Sequence, residues 1–153
     1  MLSNGSLPMP HVPTVAQAFR DQGYQATAVG KLHVQPQRQR IGFDEVILDE
    51  EGRGGEGSRV DDYELFLGDH GHAGQRFAGG MCNNEYLWRP WHLEERFHVT
   101  NWAAQQMCRQ IVRRDPLRPG FWYLSFSHPH PPLHPLQAYL DMYRDVDMPD
   151  PSV

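Results

Sequence analysis

Apolar residues at Val15, Ala18 and Phe19 recur at the i, i+3, i+4 spacing of one helix face, so residues 14–22 are expected to be helical. Pro13 suits the first turn of that helix and Gly23 its end. Residues 24–29 read as a short strand that runs into Gly30-Lys31-Leu32-His33, with a second short strand over 43–48 and a short helix over 61–67. The longest amphipathic pattern spans about 94–113, where Val99, Trp102, Ala103, Met107 and Ile111 share one face. Acidic residues open that segment, and Arg113 and Arg114 close it, as the helix dipole favours. Residues 121–126 then form an almost continuous apolar run, the signature of a strand covered on both faces of a parallel sheet. Prolines at 129, 131 and 132 end that run, because proline cannot continue a ladder.

Two stretches have no period. Residues 49–58 are acidic and glycine-rich and are expected to be a solvated loop; residues 69–84, rich in Gly, His and Asn, are expected to be a surface excursion. Together they suggest a long irregular insertion at about 49–93 within a single domain over 1–153. The order helix, strand, insertion, helix, strand is that of an α/β protein with a mainly parallel sheet flanked by helices. Ligands in such folds gather at the carboxyl ends of strands. Lys31 and His33 sit at one such end and His128 and His130 at another, which points to one shared site.

Charge and composition narrow the partners. A net charge of −5 over 153 residues supplies no basic field for nucleic acid. No run of about 18 apolar residues exists to span a membrane, and no secretory leader is evident, which makes a cytoplasmic location the default. The loop-like residues 1–10 suggest a truncated start. Cys82 and Cys108 lack zinc spacing and read as ordinary thiols.

Four constellations could carry chemistry. Lys31 is the only lysine among fourteen basic residues, and a compact ammonium suits one oxygen of a tetrahedral anion. His33, two residues on, can serve the same ligand. His128, His130 and His134 occupy a proline-stiffened loop with no Cys or carboxylate spaced to complete a zinc site. A general acid is the better reading there, with His130 held between Pro129 and Pro131. Gly52-Arg53-Gly54-Gly55-Glu56-Gly57 matches a dinucleotide fingerprint in letters, but Asp49, Glu50 and Glu51 separate it from the preceding strand and would repel a pyrophosphate. Asp69-His70-Gly71 imitates a metal triplet but follows the short helix directly and reads as its stop.

Gly23-Tyr24-Gln25-Ala26-Thr27-Ala28-Val29-Gly30-Lys31-Leu32-His33, followed by Gly42-Phe43-Asp44, closely resembles the second signature region of the sulfatase family. Ser125-Phe126-Ser127-His128-Pro129-His130-Pro131-Pro132 resembles the family's SF-x-x-PH-x-P segment, and Tyr139 to Tyr143 the Y-x-x-MY of choline-sulfatase-like members. The resemblance implies an alkaline-phosphatase-like α/β fold, present here incompletely as an internal piece. It also implies a calcium ion, a formylglycine nucleophile made from cysteine or serine, and a small-molecule sulfate ester as substrate. By motif position, Lys31 would bind sulfate oxygens and His33 would hydrogen-bond the formylglycine hydroxyl. His130 would contact sulfate and protonate the leaving alcohol. No cysteine or serine here begins the family's C/S-x-P-x-R string, and the family's metal-binding aspartates would fall outside these residues. The chain itself is therefore expected to lack nucleophile and metal ligands and to be inactive alone. A phosphonate or phosphodiester hydrolase of the same superfamily, or a non-catalytic remnant, are the alternative readings.

Overall fold

The computed structural model describes residues 8–52, 60–77 and 81–150. Helix α1 (Val15–Asp21) opens the fold, with Thr14 as its N-cap accepting from the Gln17 amide at 3.1 Å. Pro13 thus lies just before the cap rather than in the first turn. Gly23, at φ +86°, makes the left-handed turn that sends the chain back as β1 (Gln25–Gly30). Strand β2 (Glu45–Leu48) is two residues shorter at its start than the pattern suggested; Asp44 still donates its amide to the Ala26 carbonyl at 2.8 Å, but the Ala26 amide is taken by the Asp44 side chain at 2.8 Å. Helix α2 (Asp62–Asp69), helix α3 (Val99–Arg113), strand β3 (Gly120–Ser125) and the short helix α4 (Gln137–Met142) follow. The pattern over 94–113 resolves into a 3₁₀ turn, Glu95–Phe97, and α3, with His98 between them as the N-cap.

The three strands form one parallel sheet in the order β2-β1-β3, confirming the expected α/β class. Helices cover both faces of the central strand. Ala26 and Ala28 point toward α1 and pack with Ala16 and Phe43. Val29 points the other way, into a larger core with Tyr63 and Leu67 of α2 and Trp102, Ala103 and Met107 of α3. That double coverage explains why β1 is apolar almost throughout and almost completely buried.

Strand β3 differs from expectation. Tyr123 and Leu124 are 41% and 37% exposed, so the run is not covered on both faces. Its position explains this, since β1 is its single ladder partner among the described residues. The solvated reading of 49–58 also fails at its start, because Asp49, Glu50 and Glu51 are 1%, 6% and 5% exposed. Within the 69–84 stretch, Arg76 is 6% exposed and Met81 is buried. The charged groups are buried because each has a partner: Asp49 pairs with Arg76 across the two stretches, Glu50 accepts from backbone amides and Glu51 pairs with Lys31. The remainder of the glycine-rich string, residues 53–57, lies outside the described residues. Asp69-His70-Gly71 is the end of α2, where Gly71 takes φ +81° and His70 Nδ1 lies 2.8 Å from the Phe66 carbonyl oxygen.

Candidate anion site at the strand ends

The carboxyl ends of all three strands are stitched together at Gly30. Its carbonyl accepts from the Asp49 amide at 3.2 Å, and the Lys31 amide donates to the Ser125 carbonyl at 3.1 Å. Gly30 is at φ +98°, and a Cβ there would stand 1.8 Å from the Ser125 carbonyl oxygen. Only glycine lets β1 and β3 approach this closely while the chain turns to present Lys31.

The turn after Gly30 is fixed by a carboxylate. Glu50 Oε1 accepts from both the Leu32 and His33 amides at 2.9 Å, which holds His33 at φ +56°, a conformation uncommon for a side-chain-bearing residue. Lys31, by contrast, is gripped through its side chain: its Nζ lies 2.9 Å from Glu51 Oε1. Glu51 itself adopts φ +57°.

The second arm follows β3. Ser127 donates to Asp49 Oδ2 at 2.5 Å, fixing the start of the proline-rich loop. Backbone bonds then tie that loop to residues 87–91: Leu133 N to Leu87 O at 2.9 Å, Arg89 N to Leu133 O at 3.0 Å, and Trp91 N to Pro135 O at 2.9 Å. His130 Nδ1 lies 2.8 Å from the Pro131 carbonyl oxygen and 3.6 Å from Glu51 Oε1. Both neighbours are acceptors, so Nδ1 carries the proton and Nε2 is the nitrogen left for a ligand. The structure therefore brings Lys31 and His130, about a hundred residues apart in sequence, onto one carboxylate. His33 joins the site through its backbone amide, and its side chain is exposed.

Behind the arms lies a buried ionic hub that the sequence reading did not identify. The Arg76 guanidinium bonds to both Asp61 oxygens at 2.7 Å, to Glu64 Oε1 at 2.7 Å and to Asp49 Oδ1, and it stacks 4.7 Å above the Tyr63 ring. Burial works against its charge, but Asp49, Asp61 and Glu64 together hold it protonated above its ordinary range. Burial is also the largest influence on Asp61 and raises its pKa despite Arg76. Asp61 caps α2 through the Glu64 amide at 2.9 Å and accepts from the Glu50 amide at 2.8 Å. One guanidinium thus anchors Asp49, which holds the Ser127 arm, and Asp61, which holds the Glu50 arm.

The loop histidines form a second cluster. His98 Nδ1 accepts from the Thr100 amide at 3.3 Å, so its Nε2 carries the proton and donates to the His134 carbonyl at 2.9 Å. His98 stacks on His128 with ring centroids 5.2 Å apart, and Trp91 meets both His98 and His134 edge-on. Burial lowers the pKa of His98 and His128, and it brings His134 down to about 4. These rings border a cavity of about 30 Å³ that also touches Glu51, Arg76 and His130. His134 is a buried ring packed against Trp91 and Phe77 on the wall of that cavity.

Among the described residues, no three or more His, Cys, Asp or Glu side chains are grouped to hold a metal ion. Asp49 and Asp61, the hard oxygen donors a calcium ion would favour, already serve Arg76, so the described residues do not fit that ion. Both cysteines are free and exposed, Cys108 on α3 and Cys82 near the end of the second excursion. No helix among the described residues is long and apolar enough to cross a membrane.

Comparison with known proteins agrees with the motif spacing. A family model described as Sulfatase matches residues 1–153. The chain is 37% identical over 149 residues to an arylsulfatase of Clostridium perfringens (strain 13 / Type A), an alignment covering 90% of this chain and 31% of that protein. The chain therefore spans about a third of the length of that curated relative.

Proposed function

The chain belongs to the sulfatase family, and on that premise we propose that it carries the sulfate-binding arm of a sulfate-ester hydrolase. Lys31 holds sulfate oxygens as a point charge. His130 keeps Nδ1–H on the Pro131 carbonyl and, in its doubly protonated form, turns Nε2–H toward the ester oxygen; that Nε2 proton passes to the departing alcohol and leaves the neutral ring behind. His33 contributes a second ring at the same strand end and serves the nucleophile's hydroxyl. The formylglycine and calcium of the family are assigned to sequence other than these residues, so the chain alone turns over no ester. A small-molecule sulfate ester is the partner.

The observation that carries this reading is the meeting of Lys31 and His130 across Glu51, at 2.9 and 3.6 Å. Two motifs remote in sequence reach one point at the carboxyl ends of parallel strands, where α/β folds bind ligands.

An aryl sulfate that binds the folded chain raises its melting temperature through mass action, by RT ln(1 + [L]/Kd). The expected result is a concentration-dependent rise that disappears in Lys31→Ala, together with no release of the aryl alcohol. Release of alcohol by this chain would refute the assignment of the nucleophile elsewhere. An equal rise in Lys31→Ala would refute the role of Lys31.

A further inference from the structure

Two internal carboxylates already engage the donors at the end of β1. Glu50 accepts from the Leu32 and His33 amides, and Glu51 pairs with Lys31 Nζ at 2.9 Å. The Glu51 side chain is 6% exposed, whereas that of Lys31 is 20% exposed and that of His130 33%. A ligand entering from solvent thus meets the ammonium and the imidazole first, with a fixed carboxylate immediately behind both.

We propose that Glu51 determines specificity by charge, making the site select tetrahedral esters with one negative charge over dianions. The proposal rests on Lys31 and His130 being the anion site and adds what kind of anion they accept. Attraction to Lys31 and repulsion from Glu51 both scale with the charge of the ligand. With the two side chains in contact these effects largely cancel at the ligand, so a second negative charge gains little from the pair. The cost of stripping water from the ligand rises steeply with its charge, so a dianion loses more than it gains. Asp49 is paired with Arg76, and the Glu50 carboxylate is taken up by the Leu32 and His33 amides, which leaves Glu51 as the carboxylate in contact with both Lys31 and His130. Hydrogen-bond donation from the Lys31 ammonium remains available to a singly charged group.

A sulfate monoester carries one negative charge, and the inorganic sulfate released from it carries two. The same carboxylate therefore admits the ester and weakens the hold on the product. It also disfavours phosphate monoesters in their doubly charged form, while leaving phosphodiesters and phosphonate monoesters as acceptable shapes.

The test is calorimetric titration of the whole chain with methyl sulfate and with inorganic sulfate at matched ionic strength. The native chain is expected to bind methyl sulfate more tightly. Glu51→Gln keeps an acceptor for Lys31 and removes the charge; it should tighten inorganic sulfate about tenfold more than methyl sulfate, the effect of one unit charge a few ångströms away in a partly wet site. Glu51→Asp, which keeps the charge, should keep the native preference. If Glu51→Gln changes both affinities by the same factor, or weakens both, the charge-selection role is overturned while the anion site stands. If the native chain binds neither anion, the anion site and the inference fall together.

Discussion

Replacing Arg76 with leucine should destabilise the fold by about 3–5 kcal/mol, the cost of leaving buried charge without its partner. Arg76 is ion-paired with Asp49, Asp61 and Glu64 at once, and two of those carboxylates are almost fully buried. Leucine fills part of the volume but leaves Asp49 and Asp61 facing each other in a poorly solvated space. Lysine should rescue little, because a single ammonium cannot reproduce a planar fork that bonds three carboxylates in different directions. Urea unfolding followed by tryptophan fluorescence measures the loss directly. Asp61→Asn on the Arg76→Leu background should recover part of it, because removing a neighbouring charge relieves the repulsion. A loss below about 1 kcal/mol would mean that the hub is a solvated surface cluster. Aryl sulfate binding should weaken in the same variant, because Asp49 and Asp61 link the hub to both arms of the site.

Acid should destabilise the chain through its buried histidines. His134, His98 and His128 all have pKa values below that of a free histidine, with burial the leading cause. In the unfolded chain each titrates near its ordinary value of about 6.5. Between that value and the lowered one, the unfolded state binds more protons than the folded state. Stability from these rings is therefore complete above about pH 6.5 and is lost as pH falls through the depressed values, reaching about 4 for His134. His134 carries the largest share of that loss, because its value is lowered the furthest. Unfolding free energies at half-unit steps from pH 7.5 to 5 should decline, with the steepest slope below 6.5. His134→Asn should flatten that slope by up to one proton. A native profile that stays level from pH 7.5 to 5 would show that the three rings are not buried neutral.

The arms of the site were legible in the sequence because local chemistry marks them. Gly30 is the one residue able to turn at φ +98° against the Ser125 carbonyl, and it stands directly before the only lysine. The prolines after Phe126 announce where β3 must stop. What holds the arms was not legible. Asp49-Glu50-Glu51 next to a glycine-rich string has the composition of a solvated loop, and composition carries no information about a guanidinium 27 residues later. Burying four charged groups is tolerable only when they meet, and their meeting is a property of the folded chain. One signal does lie in the sequence: three consecutive carboxylates begin at the residue after an apolar strand, at the end where ligands bind. Strand β3 departs from its apolar pattern for a different reason. An apolar run records that a strand can be covered on both faces, and the missing cover concerns which elements lie beside it.

The central claim is that Lys31, His33 and His130 belong to one anion site. Nitrogen-15 NMR of the Lys31 ammonium and the two imidazoles, followed during titration with methyl sulfate, tests it most directly. The expected result is that all three groups shift together and saturate with a single dissociation constant, and that His98 and His134 stay still. Shifts confined to one arm, two distinct dissociation constants, or no saturable change would contradict it.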